Sequence, residues 1–347
     1  MSITVDTSPQ LLAFEPRGPV SESLLRCLAG AGETTSVPAA ARVAVEKSTD
    51  VTHDDDIQLA LFLLYASHYG SIDGISAECE WDVALIEART VLETAFEADL
   101  RARVPVPDTP EPQARAVAKA LFELTSADAG PSLSRYFAKR ATRAQAEEFL
   151  MQKSIYTLRE ADPHSWAIPR LRGGAKAALV EIQADEYGSG RADRVHATIY
   201  AKTMRGAGLD DAYGRYVDVV PAITFASHNA MSMFGLNRRL VGAIVGHLAA
   251  FEMTSAIPNR LYGDGFRRLG YGEEVTDYFD EHVEADAVHE QIAGRDMAGA
   301  LAEDRPELLP DIMFGAAACL TVDGWMGEHM LDAWTAGRSS LREQATA

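Results

Sequence analysis

Residues 278–291 read YFDEHVEADAVHEQ, and their two histidines and central aspartate decide how the rest of the chain is interpreted. His282, Asp286 and His289 stand at positions i, i+4 and i+7, which an α-helix places on one face. Two imidazoles and a carboxylate on one helical stripe suit a first-row metal ion such as iron, manganese or zinc. Taken alone, the stripe fits a set of helix-surface hydrogen bonds equally well. Its meaning therefore depends on partners elsewhere in the chain.

The composition is that of a globular protein with an acidic balance. Of the 347 residues, 47% are hydrophobic, and the formal net charge is −19. Such a charge repels nucleic acid and anionic membranes, so we expect neither as a partner. The N-terminus lacks the basic-then-apolar pattern of a signal peptide, and no apolar run reaches membrane-spanning length. A cytoplasmic location is expected.

The chain has three cysteines, Cys27, Cys79 and Cys319, which lie far apart. Their odd number and the lack of a C-x-x-C pair argue against a disulfide framework and a thiolate metal site. A metal site in this chain would therefore rely on histidines and carboxylates.

Helical periodicity organises most of the chain, and no convincing run of alternating strand residues occurs, so an all-α protein is expected. Prolines and glycines interrupt the first segment, and four prolines between residues 105 and 112 indicate a linker. The predicted parts are an irregular N-terminal arm with one short helix near residues 21–30 (residues 1–53), an N-terminal helical region (54–104), a main helical domain (113–337) and a flexible tail (338–347).

The main domain is expected to end in a series of long helices. Apolar residues at helical spacing predict them over residues 217–227, 231–260, 273–300 and 308–336. Pro258 is expected to break the second of these, because proline removes a backbone donor and clashes with the preceding turn.

Four further carboxylates and one histidine offer partners for the stripe. Asp193 and His196 stand at i, i+3 and are expected on one face of one helix. Glu252 has apolar neighbours, and a buried carboxylate needs a cation, a hydrogen bond or a metal ion. Glu186 precedes a pair of glycines, and Glu160 closes a predicted helix, where an acid in solvent is the alternative interpretation. Carboxylates and histidines that converge from several helices are the general design of carboxylate-bridged di-iron sites.

This constellation resembles the haem-oxygenase-like di-iron oxidases and oxygenases, a family of iron-containing redox enzymes. The resemblance rests on Glu252, on His282-x-x-x-Asp286-x-x-His289 and on the upstream pair Asp193-x-x-His196. It covers most of the chain from about residue 54 and implies a haem-oxygenase-like helical bundle with an additional N-terminal helical region. The metal ligands that it implies are His196, Glu252, His282, Asp286 and His289, with Glu160 matching in position, Asp193 standing where the family commonly has Glu, and Glu186 as an extra carboxylate.

The resemblance also implies a reaction class. Two iron ions would react with O2 and draw electrons from an external donor, either a reductase or a small reductant. Family members oxidise amine nitrogen to hydroxylamine, nitroso or nitro groups, or they desaturate or cleave the carbon skeleton of amino or fatty acids. The extra carboxylate Glu186 looks characteristic of the amine-oxidising members, so we expect N-oxygenation of a small amine in a biosynthetic pathway. A desaturating or C–C-cleaving oxidase is the first alternative, and a helical binding protein without redox activity is the second.

Two further expectations concern the substrate pocket and the assembly. Arg260 or Arg191 is a candidate for holding a substrate carboxylate, and the N-terminal helical region makes a homodimer plausible. The predicted pocket walls, chosen as neighbours of the metal-binding candidates on their helices, are Tyr200, Phe251, Met253, Tyr278 and Phe279.

Overall fold

The structure is a computed structural model that describes residues 14–126 and 132–343, apart from the side chains of residues 284–288. All regular secondary structure in these residues is helical, and the described ranges contain no strand, which confirms the all-α prediction. Two compact units divide the chain, Met1–Leu100 and Arg101–Ala347.

The N-terminal unit contains helices α1 (Pro19–Leu28), α2 (Val37–Lys47), α3 (Asp55–Tyr69) and the larger part of α4 (Val83–Arg103). The described part of the arm holds two helices, of which α1 matches the one short helix that we expected near residues 21–30, whereas α2 was not predicted. A carboxylate on α3 explains the order of α1, because Asp56 accepts hydrogen bonds from the backbone nitrogens of Val20 (2.9 Å) and Ser21 (2.7 Å). These are donors that a helix N-terminus otherwise leaves unsatisfied.

The second unit is a bundle of helices. A π-helical segment, Ile292–Gly299, follows α13 directly. The helices are α5 (Ala114–Thr125), α6 (Leu133–Arg140), α7 (Arg143–Thr157), α8 (Asp162–Ser165), α9 (Gly173–Glu186), α10 (His196–Gly206), α11 (Ala222–Leu236), α12 (Val241–Arg268), α13 (Glu273–Gln291), α14 (Ala300–Asp304) and α15 (Leu309–Thr335).

The two longest helices, α12 and α15, pack backbone against backbone at the centre of this unit. A Cβ atom on Gly246 would overlap the carbonyl oxygen of Ile312, and one on Gly315 would overlap that of Ala243. Only glycine allows this approach. Both helices are long and apolar enough to span a membrane, but 67% and 61% of their apolar windows are buried inside the protein. Packing within the core accounts for their hydropathy.

Pro258 lies inside α12, and the predicted break there is wrong, because the helix continues to Arg268. Aromatic packing beyond the proline offsets the lost backbone bond. The Phe266 ring is fully buried and lies 5.0 Å from the rings of both Phe137 and Phe279, measured between centroids. Aromatic pairs at this separation are favourable beyond the area that they bury.

The C-terminal segment is tied down through residue 343, in contrast to the flexible tail predicted from residue 338. Ser340 is 1% exposed, and its backbone nitrogen and hydroxyl donate to Glu148 Oε2 at 2.9 and 2.7 Å. The same oxygen accepts a 2.8 Å hydrogen bond from the indole nitrogen of Trp334. Residues 344–347 lie outside the described residues.

Candidate metal centre

Six buried side chains in the second unit form two groups of potential metal ligands. Within each group, one ligand atom per residue lies within 4.8 Å of the others. Glu186 belongs to both groups, so it is the residue that two neighbouring sites would share. Each of the six residues is at most 6% exposed. The first group is Glu160, Glu186, His196 and His282, and the second is Glu186, Glu252 and His289.

A tight connection between α9 and α10 brings Glu186 and His196 together. Glu186 is the last residue of α9, and His196 is the first of α10. Gly188 adopts a φ of +74° in this connection, and a Cβ atom there would lie 2.7 Å from the backbone of Arg194. Glycine is therefore required for the turn that sets Glu186 Oε2 2.9 Å from His196 Nδ1.

This connection corrects the prediction for Asp193. We expected Asp193 and His196 on one helix face, but Asp193 lies in a 3₁₀ turn, Ala192–Arg194, before α10 begins. Its side chain is exposed and is in neither ligand group of the described residues. The interruption of helical spacing by the glycine-rich turn is the physical reason. Asp286 lies in α13, but its side chain is outside the described residues, so its role as a ligand stays a prediction.

Tyr278 connects two members of the first group. Its hydroxyl donates to Glu160 at 2.9 and 2.8 Å from the two carboxylate oxygens, and its backbone carbonyl accepts from His282 Nδ1 at 2.7 Å. A carbonyl can only accept, so the His282 proton is on Nδ1 in the neutral ring. Its Nε2 therefore carries the lone pair and faces Glu160 Oε1 at 3.4 Å. A hydrogen bond to the distant nitrogen is how proteins commonly orient a histidine ligand.

His289 lies between two carboxylates. Its Nδ1 is 3.2 Å from Glu252 Oε2, and its Nε2 is 3.1 Å from Asp185 Oδ2. Burial opposes the charged ring, but hydrogen bonds to Glu252 and Asp185 prevail and raise the pKa of His289 to about 9. Sequence reasoning missed Asp185. The only signal in the sequence was its place directly beside Glu186.

In the first group, too, attraction between opposite charges offsets the cost of burying them. Burial disfavours the charged forms of both Glu186 and His196, yet their mutual attraction lowers the pKa of Glu186 and raises that of His196. His196 Nδ1 is buried, and the described part of the chain gives it no hydrogen bond of acceptable geometry. Buried polar atoms without a hydrogen bond are uncommon and indicate a site for a water or an ion.

The donor set fits iron. Three carboxylates and three imidazoles supply oxygen and nitrogen ligands, and neither group of described residues contains a cysteine. Imidazole and carboxylate suit iron and manganese, whereas closed structural zinc sites favour thiolates. Glu160, Glu186, His196 and His282 would hold one ion, and Glu186, Glu252 and His289 the other.

A cavity of about 360 Å³ adjoins the first group, with Glu160, Tyr278 and His282 in its wall. Four of the five predicted wall residues, Tyr200, Phe251, Tyr278 and Phe279, line it. Met253 instead lies against Gly294. Arg191 and Arg260 are not among the lining residues, so the prediction that one of them holds a substrate carboxylate there is not supported.

Comparison with known proteins decides the family. The sequence pattern of the proteins described as iron-containing redox enzymes matches residues 147–324, just over half of the chain. The chain belongs to the iron-containing redox enzymes. The matched range includes all six buried candidate ligands, and the haem-oxygenase-like fold predicted from the sequence is confirmed.

Two known proteins are similar to this chain. It is 28% identical over 172 residues to a protein named nitrosourea synthase from Streptomyces achromogenes subsp. streptozoticus, a match that spans 49% of this chain and 36% of that protein. A crystal structure of a CADD-like protein of unknown function from Nostoc punctiforme PCC 73102 is 18% identical, with a TM-score of 0.50. That likeness covers 63% of this chain and 97% of the other, and it shows the fold alone.

Proposed function

We propose that this enzyme is a non-haem di-iron oxygenase that uses O2 to oxidise the nitrogen of a small amine, in a biosynthetic pathway, to a hydroxylamine and onward to nitroso or nitro. The observation that carries the proposal is Glu186, whose carboxylate belongs to both ligand groups and adds to Glu160 and Glu252. The partial likeness to a nitrosourea synthase, a protein named for a product with an oxidised nitrogen, supports the same direction.

The iron centre would supply the O2 chemistry, and the protein would supply positions and a dry pocket. Conversion of an amine R–NH2 to R–NH–OH with one O2 consumes two electrons and two protons and releases one water. Because the substrate nitrogen provides only part of the four electrons that O2 accepts, an external reductase or small reductant is required.

The chain's own residues hold the ligands in place for this reaction. The Tyr278 hydroxyl orients the Glu160 carboxylate, and its carbonyl fixes the His282 ring with Nε2 toward the centre. Asp185 and Glu252 contact opposite nitrogens of His289, so either can orient the ring while the other nitrogen is free to bind. Burial of all six ligands excludes bulk water, which strengthens the electrostatic interactions inside the site.

The test is an O2 reaction with the iron-loaded enzyme, a reductant and a panel of small primary amines under ¹⁸O2. We expect product masses that carry ¹⁸O bound to nitrogen. A Glu186→Gln variant should lose this product, whereas Glu181→Gln, which alters an exposed carboxylate on the same helix α9, should retain it. Desaturated or shortened carbon products without a nitrogen–oxygen bond would contradict the proposal and favour the C–C-cleaving or desaturating alternative.

A further inference from the structure

Two opposite charges line the cavity beyond the metal-binding candidates. Lys153 on α7 and Asp323 on α15 are both partly exposed and both lie in the cavity wall. Asp323 Oδ1 accepts a 2.6 Å hydrogen bond from the Ser227 hydroxyl, which fixes the carboxylate. Neither charge was singled out by the sequence, because neither stands at ligand spacing.

Two smaller pockets show where Lys153 and Asp323 lie relative to the metal-binding candidates. Glu160 and His282 also line a small pocket with Glu186 and Glu252, on the side of the metal-binding candidates. Lys153 and Asp323 line a different small pocket, which contains none of those candidates. The large cavity therefore joins a metal-binding end to a charged end.

The chain that borders the cavity separates its two ends. Lys153 lies four residues before the end of α7 at Thr157, about 6 Å of helix at 1.5 Å per residue, and Glu160 follows three residues beyond that end. Phe251 and Tyr156 line both small pockets and stand between the two ends. A small extended molecule spans this distance with an apolar middle.

Lys153 has no hydrogen bond or ion pair with any described side chain, and it is not paired with Asp323. A lysine ammonium in a cavity wall, without a carboxylate partner in the described residues, is suited to bind an anion of the ligand. Asp323 is suited to bind a cation beside it. Charge-assisted hydrogen bonds of both kinds are roughly twice as strong as neutral ones.

We propose that Lys153 and Asp323 form a binding site for an amino-acid head group, with Lys153 on the carboxylate and Asp323 on the α-ammonium. A side-chain nitrogen of the same molecule then extends toward Glu160 and His282. This inference rests on the proposed function, in which a substrate nitrogen is oxidised at the metal-binding end. It names the substrate class as an amino acid with a second nitrogen in its side chain.

Three matched probes test the head-group site by anaerobic calorimetric titration of the Fe(II)-loaded full chain. L-Ornithine carries both head-group charges, 1,4-diaminobutane lacks the carboxylate, and 5-aminopentanoate lacks the α-ammonium. We expect L-ornithine to bind at least about tenfold more tightly than either analogue, since each loses one charge-assisted contact. Equal affinities of the three probes, or no L-ornithine binding at millimolar concentration, would overturn the proposal.

Variants assign each charge to its residue. Lys153→Met should weaken L-ornithine and 5-aminopentanoate about tenfold and leave 1,4-diaminobutane unchanged. Asp323→Asn should weaken L-ornithine and 1,4-diaminobutane, which have a nitrogen at the α-position of the head group, and leave 5-aminopentanoate unchanged. Lys119→Met, which changes a surface lysine paired with Glu123, is the matched control and should alter none of them. If Lys153→Met matches this control while both proteins unfold at the same temperature, the assignment of Lys153 is wrong. Because binding is measured without O2, a failure of N-oxygenation would leave these results intact.

Discussion

Replacing Tyr278 with phenylalanine removes a single hydroxyl from the candidate metal centre. In the native protein this hydroxyl donates to Glu160 at 2.9 and 2.8 Å from its two oxygens, and both residues are buried. A hydrogen bond to a charged group contributes about 1.5–3 kcal/mol, so we expect Tyr278→Phe to lower the free energy of unfolding of the metal-free protein by about 2 kcal/mol. Loss of a partner that orients a ligand typically weakens metal binding about 10–100-fold, and we expect Fe(II) affinity to fall in that range.

Tyr200→Phe is the matched control for this experiment. Tyr200 is also buried, and its ring lies 4.9 Å from that of Tyr278, but its hydroxyl donates to the Leu150 carbonyl at 2.9 Å rather than to a carboxylate. It should cost about 1 kcal/mol of stability and leave Fe(II) affinity nearly unchanged. Urea unfolding and anaerobic calorimetry measure the two quantities. Equal Fe(II) affinities for the two variants would refute the view that Tyr278 holds a metal ligand.

Three further outcomes follow from the structure. Because the pKa of His289 is raised from 6.5 to about 9, the metal-free fold has this stabilisation in full below pH 6.5 and loses it as pH rises through 9. Metal binding must displace the same proton, so Fe(II) affinity should rise about tenfold per pH unit below pH 9, and a flat profile between pH 6.5 and 8 would contradict the assignment. Gly246→Val should destabilise the fold by about 3 kcal/mol or more in urea unfolding, while Gly324→Ala on α15, where a Cβ meets open space, should stabilise it by up to about 1 kcal/mol. Glu148→Ala should leave the buried donors of Ser340 without an acceptor, cost about 2 kcal/mol, and speed proteolysis of the C-terminal segment.

Apolar periodicity predicted two of the long helices of the second unit closely and misplaced two others. The helices expected over residues 217–227 and 231–260 are Ala222–Leu236 and Val241–Arg268, so the break between them lies about ten residues further along the chain than predicted. The helix expected over residues 308–336 is Leu309–Thr335, and the one expected from residue 273 begins at Glu273. Periodicity works here because each helix buries a continuous apolar face. It failed at Pro258, where packing of the aromatic residues beyond the proline offsets the local cost within α12.

Most of the candidate ligands were singled out from the sequence, but the contacts between them were not. Residue type and spacing identified His282 and His289, which stand two turns apart on one helix. The contacts that orient the candidate ligands join residues far apart in the sequence, so a linear pattern does not show them. The Tyr278 hydroxyl and the Glu160 carboxylate, for example, are 118 positions apart. Asp193 was wrongly expected on the same helix as His196. Helical spacing was assumed there, but the residues form a glycine-rich turn and a 3₁₀ turn.

Charged residues of the cavity were also beyond sequence reasoning. Lys153 reads as one polar position of an amphipathic helix, and only the packing of α15 sets it beside Asp323. The C-terminal segment was expected to be flexible, yet Glu148 holds it through two hydrogen bonds from Ser340. In both cases the decisive contact joins parts of the chain that are far apart in sequence.

Anaerobic titration with Fe(II), followed by exposure to O2, tests the two-metal centre most directly. The shared position of Glu186 between two ligand groups predicts two iron ions per chain and a visible absorption that appears only when O2 is added. Glu186→Gln should reduce the stoichiometry or weaken both sites together, since one carboxylate serves both groups. Binding of a single iron ion per chain, or no stoichiometric binding, would contradict the account.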